Sequence, residues 1–118
     1  MRKDTELRER TKQFALRVIR LYKRLPRSGE STVIGNQLLR SGTSVAANYR
    51  EATRGRSNAE VISKLGIVEQ ELDESLLWLE LLVDAEVIPA PQLAPLMDET
   101  DQLIRIIVAS ITTLKNKR

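Results

Sequence analysis

Apolar residues recur every three or four positions along most of the chain, which is the period of an amphipathic α-helix. In the first such stretch, Leu7, Phe14, Val18 and Leu21 fall on one helical face. Pro26 cannot continue this helix, and the polar and glycine-containing residues that follow it are typical of a turn. The pattern therefore predicts a first helix that ends next to this proline.

The same period, together with residues that are typical of helix ends, predicts three further helices. Ser57 and Glu60 match a capping box, so a helix should begin near Asn58. Pro91 and Pro95 each suit a first helical turn, which leaves the start of the last helix open. We predict helices over about 4–25, 30–54, 58–85 and 91–116, within one domain. Their lengths and short connections favour an all-α, up-down-up-down antiparallel four-helix bundle.

The last two helices carry more apolar residues than one stripe needs. Apolar residues around position 80 are nearly consecutive, so they point all around the third helix. A wider core within one chain would explain this, but large apolar patches usually mark interfaces. We therefore expect a homo-oligomer, with these candidate interface residues: Leu77, Trp78, Leu81, Ile104, Ile106 and Val108.

The core-facing stripes of the second and third helices are predicted from the same period. They include Asn48 in the second helix, and Leu76 and Val83 in the third. The second helix also holds Gly35 and Gly42 on one face, which indicates close approach by another helix or, alternatively, a ligand groove.

Polar residues recur at helical spacing in the second and third helices. We predict that they form a polar network with a structural role, made of Arg40, Ser44, Asn48 and Glu51 with Glu69 and Asp73 across the bundle.

The composition excludes most familiar catalytic chemistry. The 118 residues include no cysteine and no histidine, which removes disulfides, thiolate nucleophiles, imidazole bases and Cys/His zinc sites. Hydroxyls such as that of Ser44 have no visible activating base. We expect a protein that is not an enzyme and holds no metal or cofactor. Without an apolar leader or a stretch long enough to span a bilayer, we expect a cytoplasmic protein with no membrane partner.

Charge is segregated along the chain, although the formal net charge is only +3. Basic residues recur every seven positions on the first helix, and we place this stripe opposite the apolar face. A second basic cluster follows the second helix. The two sets form a candidate RNA- or DNA-binding surface: Lys3, Arg10, Arg17, Arg20, Arg24 and Arg27, with Arg50, Arg54 and Arg56. The alternative is a solvated face neutralised by acidic residues. Aromatic residues make up only 3% of the chain, so any binding should be led by phosphates.

The segment 37–52, continued by 54–57, 64–75 and 78–82, closely resembles a known bacterial family. It is similar to the four-helix-bundle proteins encoded in intervening sequences of 23S ribosomal RNA genes, which are related to the accessory variability protein of diversity-generating retroelements. The resemblance implies a homopentamer arranged as a ring around a central channel. It leaves the biological role open between nucleic-acid binding and a structural or adaptor ring that binds a protein partner.

Overall fold

The computed structural model describes residues 2–117, and the side chains of residues 5–117. It contains four helices: α1 (Arg2–Arg24), α2 (Gly29–Ala52), α3 (Asn58–Asp84) and α4 (Ala90–Asn116). The described residues form no strand. The prediction of an all-α chain with four helices is confirmed.

Each helix packs against the next one in the chain, and α1 and α4 pack against each other less closely. Within the described residues, the backbones of α1 and α3, and those of α2 and α4, do not approach each other closely, so these pairs lie diagonally across a square. Glu51 near the end of α2 pairs with Lys64 near the start of α3, and Arg40 pairs with Glu71. Helices α2 and α3 therefore run in opposite directions, and so do α1 and α2, because Gly35 lies next to Leu25 and Gly42 next to Val18. The four helices form a rod of 48 × 20 × 20 Å.

The helix ends follow local sequence signals. The Ser57 hydroxyl accepts a hydrogen bond from the Glu60 N–H at 3.1 Å, as the capping box predicts. At the end of α3, the Val87 N–H donates to the Leu82 carbonyl at 2.9 Å, and Glu86 takes a φ of 60°. This is a Schellman motif in which glutamate occupies the position that usually holds glycine. Helix α4 begins at Ala90, so its start lies before both candidate prolines.

The core runs the length of the rod between the four helices. Its largest fully buried residues include Phe14, Val18, Leu38, Val45, Val68, Leu72, Leu79, Leu82, Leu93, Leu103 and Ile107. Tyr49 is buried where we expected Asn48, and Ser75 and Leu82 are buried where we expected Leu76 and Val83. The reason is that adjacent residues fit a period of 3.6 almost equally well, so packing decides which of them faces the centre.

The glycines of α2 allow α1 to approach closely. A Cβ atom added at Gly42 would lie 2.8 Å from Cγ2 of Val18, and one added at Gly35 would lie 2.9 Å from Cδ1 of Leu25. Both distances are far below ordinary van der Waals contact. The small residues of α2 are therefore explained by helix packing within the chain.

Candidate functional site

Four arginines lie along the C-terminal part of α1 and its connection to α2, towards one end of the rod. Arg17, Arg20 and Arg24 line a shallow groove of about 440 Å³ between α1 and α4. Arg20, Arg24 and Arg27 are exposed, and Arg17 is half-buried. None of the four forms an ion pair within residues 5–117. We call these four residues the end patch.

The end patch flanks the apolar face of α1 and does not lie opposite it, which corrects the sequence-based placement. Arg10, Arg17 and Arg24 share a seven-residue register with the α1 core, because each of them immediately precedes a buried residue, namely Thr11, Val18 and Leu25. The stripe consequently faces the gap between α1 and α4. Lys3, which was predicted to extend the stripe, has its side chain outside the described residues.

Arg10 forms an ion pair with Glu99 within the chain. Its Nη2 lies 2.7 Å from Oε1 of Glu99, and its Nε lies 3.1 Å from Oε2 of the same carboxylate. This hydrogen bond raises the pKa of the Arg10 guanidinium above its usual value. The two residues join α1 to α4, so Arg10 serves packing and is not a free phosphate ligand. Sequence reasoning missed Glu99, because no local signal links residues 89 positions apart.

We expect the Arg10–Glu99 pair to contribute about 0.5–1 kcal/mol to the free energy of unfolding, because both side chains are partly exposed and screened by solvent. A double-mutant cycle with Arg10→Ala and Glu99→Ala, followed by urea unfolding, measures this coupling. The coupling should shrink in 1 M salt, at a Debye length of about 3 Å. A coupling energy of zero at low salt would contradict this role.

The second predicted basic cluster lies at the opposite end of the rod. Arg50, Arg54 and Arg56 are exposed around the connection from α2 to α3. The 24 residues of α2 separate them from the end patch by about 36 Å. The predicted nucleic-acid-binding residues therefore form two separate surfaces within one chain.

The predicted polar network is divided into separate contacts. Arg40 binds Glu71 at 3.2 Å and Glu74 at 2.6 Å, and it does not bind Glu69 or Asp73. The side-chain amide of Asn48 donates to the backbone carbonyl of its own helix at Ser44. Glu51 pairs with Lys64 at 2.7 Å. The Ser41 and Ser75 hydroxyls, 2.8 Å apart, form the buried polar link between α2 and α3.

The candidate interface residues face different sides of the bundle. Leu77 and Val108 are exposed, at 46% and 40%. Trp78, Leu81, Ile104 and Ile106 are partly buried against the core. Ile104 lines the groove between α3 and α4, whereas the position of Ile106, seven residues after Glu99, turns it towards α1. The six residues therefore do not form one patch.

No group of three or more acidic side chains is arranged within residues 5–117 to hold a metal ion. None of the described helices is both long and apolar enough to cross a membrane.

Comparisons with known proteins identify the family. The model of the 23S rRNA-intervening sequence protein family matches residues 3–109. A crystal structure from Bacteroides thetaiotaomicron, described as a protein with unknown function from the S23 ribosomal protein family, shares 35% identity and a TM-score of 0.87. The match covers 93% of this chain and 98% of that one. No similar sequence was found among functionally curated proteins. The chain belongs to the family of 23S rRNA-intervening sequence proteins.

Proposed function

We propose that this protein is a non-enzymatic homo-oligomer that binds the phosphate backbone of RNA or DNA through the end patch. The observation that carries this proposal is the group of four arginines without an ion pair in the described part of the chain. Guanidinium groups bind phosphates by paired hydrogen bonds as well as by charge. A cluster of unneutralised arginines is the arrangement that such binding needs.

The geometry of the end patch suits a backbone ligand. Arg17 and Arg24 are about 10 Å apart along α1, close to three base steps of a duplex strand. Gln92 of α4 lines the opposite wall of the groove and adds a hydrogen-bonding side chain. Phe14 and Tyr49 are buried in the core, and Trp78 packs against it. Tyr22 is half-buried, and its hydroxyl donates a hydrogen bond to Asn36 at 2.8 Å, so none of the four aromatic rings is fully exposed for base stacking. We therefore expect binding that is insensitive to base sequence.

Self-association would strengthen this weak, phosphate-led binding. Each copy in an oligomer contributes one end patch. Once a nucleic acid is bound to one patch, its other phosphates meet the remaining patches at a high effective concentration, so the overall affinity rises without any new kind of contact. The proposed oligomer is the homopentamer that the resemblance implies. The exposed apolar residues Leu77 and Val108 support an assembled state, because assembly would cover them.

Charge reversal at the end patch tests the nucleic-acid role. We expect Arg20→Glu with Arg24→Glu to weaken binding at least about tenfold for every nucleic-acid sequence. The slope of the logarithm of affinity against the logarithm of salt concentration should become shallower by about two. Both residues are exposed, so the fold should be unaffected. Fluorescence anisotropy on a structured RNA and a duplex DNA at two salt concentrations measures the effect.

The matched control is Arg54→Glu with Arg56→Glu, which makes the same change in net charge at the other end of the rod. This control should retain most of the wild-type affinity. Equal affinities for the wild type and the Arg20/Arg24 variant would remove the end patch from the proposal.

An adaptor that binds a protein partner is the second candidate function. Exposed apolar side chains on α2 and α3 favour this function, since Val33 is 64% exposed and Leu77 is 46% exposed. Nearby on α3, the buried indole N–H of Trp78 has no acceptor among the described residues. An apolar protein contact would depend little on salt, whereas phosphate binding weakens steeply as salt rises.

A further inference from the structure

Two opposite sides of the bundle carry opposite charge. Helix α1 has nine basic and three acidic residues, and α2 has two of each. Helix α3 has one basic and seven acidic residues, and α4 has two basic and three acidic. Because α1 lies diagonally opposite α3, the basic side formed by α1 and α2 and the acidic side formed by α3 and α4 face away from each other.

The acidic side contains a groove between α3 and α4. It is lined by Gly66, Glu69, Gln70, Asp73 and Ile104, with a volume of about 370 Å³. Neither Glu69 nor Asp73 forms an ion pair with any side chain of residues 5–117. We call these five residues the acidic groove. Ile104 supplies its one apolar side chain, and together with the two free carboxylates it matches a surface that is both apolar and basic.

Packing within the chain does not require glycine at position 66. Glycine is unfavourable inside a helix, and Gly66 lies inside α3. A Cβ atom added there would meet nothing within 4 Å, whereas one added at Gly42 would meet Val18 at 2.8 Å. Since the glycines inside α2 allow a neighbouring helix to pack closely, Gly66 leaves room for a helix from outside the chain to approach the acidic groove.

The basic side presents a helix face that matches this groove. Lys12, Leu16, Ile19 and Lys23 follow one another at steps of four, three and four, so they share one outer face of α1. The two lysines are exposed and form no ion pair in the described chain, and the two apolar residues are half-buried. We call these four residues the α1 outer stripe. It occupies a different face of α1 from the end-patch arginines, next to theirs.

We propose that the α1 outer stripe of one copy docks into the acidic groove of the next copy. Leu16 and Ile19 would pack against Ile104 and the bare backbone at Gly66, and the lysines would pair with Glu69 and Asp73. The contact is head-to-tail, because it joins two different surfaces, and such contacts build rings or filaments. This interface rests on the self-association proposed above and leaves the end patch free for nucleic acid.

Charge exchange tests the interface. Lys12→Glu with Lys23→Glu, and separately Glu69→Lys with Asp73→Lys, should each reduce the mass in light scattering towards the 13.4 kDa of one chain. A chain with all four reversals should recover the wild-type mass, because attraction is restored. Arg54→Glu with Arg56→Glu is the control for the lysine variant, since it makes the same change in net charge away from the interface and should leave the mass unchanged.

Gly66→Leu gives a second measurement that does not depend on charge. The variant should fail to assemble, while its unfolding midpoint in urea stays at or above that of wild type, because the added side chain meets open space within the chain. Circular dichroism of every variant confirms that the helices are retained. Wild-type mass in the Gly66→Leu variant would overturn the proposed interface.

Cross-linking tests the direction of the contact. The chain contains no cysteine, so Leu16→Cys with Gln70→Cys places the only two thiols on the two proposed surfaces. A short bismaleimide should then give a ladder of chain multiples, and each single-cysteine variant should give no product beyond background. Dimers from a single-cysteine variant would instead indicate a symmetric contact and overturn the head-to-tail interface.

The mass measurements separate the two proposals. A wild-type mass of 13.4 kDa would overturn self-association itself, and this interface with it. An oligomeric wild type whose mass is unaffected by the charge reversals and by Gly66→Leu would overturn only this interface.

Discussion

Replacing Phe14 by alanine is expected to lower the free energy of unfolding by about 3–5 kcal/mol. Phe14 is the single phenylalanine of the chain, and it is completely buried in the core. Its removal leaves a cavity that the neighbouring side chains fill only in part. Because small domains are stable by only about 5–15 kcal/mol, we expect a large shift of the urea midpoint, measured by circular dichroism.

Val33→Ala is the matched control for this prediction. Val33 is 64% exposed on α2, so its truncation should change the free energy of unfolding by less than about 0.5 kcal/mol. A Phe14→Ala variant with a midpoint close to that of the Val33→Ala variant would show that α1 is not held by this core. The positions of the end patch and of the α1 outer stripe both depend on the packing of α1 against this core.

Gly42→Ala should lower the free energy of unfolding by about 1–3 kcal/mol, although alanine is the better helix former. The new Cβ would lie 2.8 Å and 2.9 Å from the two γ-carbons of Val18 and 3.1 Å from its Cβ. These atoms lie close to the backbone of α1, so they cannot rotate away. The two helices would have to move apart, and urea unfolding measures the cost.

Val18→Ala supplies the control, because it removes the two γ-carbons that the new methyl group would meet. The double variant Val18→Ala with Gly42→Ala should be more stable than the sum of the single changes predicts, with a favourable coupling. Strictly additive effects would mean that the close approach of α1 to α2 does not explain this glycine.

The end patch shows how far sequence reasoning reaches towards the site. The segregation of basic residues on α1 is visible in the sequence, and it pointed to the arginines now found at the groove between α1 and α4. The sequence did not reveal that Arg10 is bound by Glu99. This contact depends on which helices meet, and a one-dimensional pattern does not contain that information.

The acidic groove became visible only through the structure. Helical spacing placed Glu69 and Asp73 near the second helix, where they were expected to bind Arg40. In the structure Glu71 and Glu74 bind Arg40, and Glu69 and Asp73 turn towards α4. A shift of two residues rotates a helical position by about 200°, so an error of one or two residues in the assumed register exchanges one neighbouring helix for the other.

The sequence by itself determined that the chain forms four helices, because the end signals and the helical period are local properties. Proline after α1, the Ser57 cap before α3 and proline beside the start of α4 act within a few residues of themselves. Only the tertiary structure decided which of two adjacent residues is buried, which charges are paired, and which glycine lacks a packing partner. Burial, ion pairing and close approach each require two segments to meet, and the positions of those segments follow from the packing of the whole bundle.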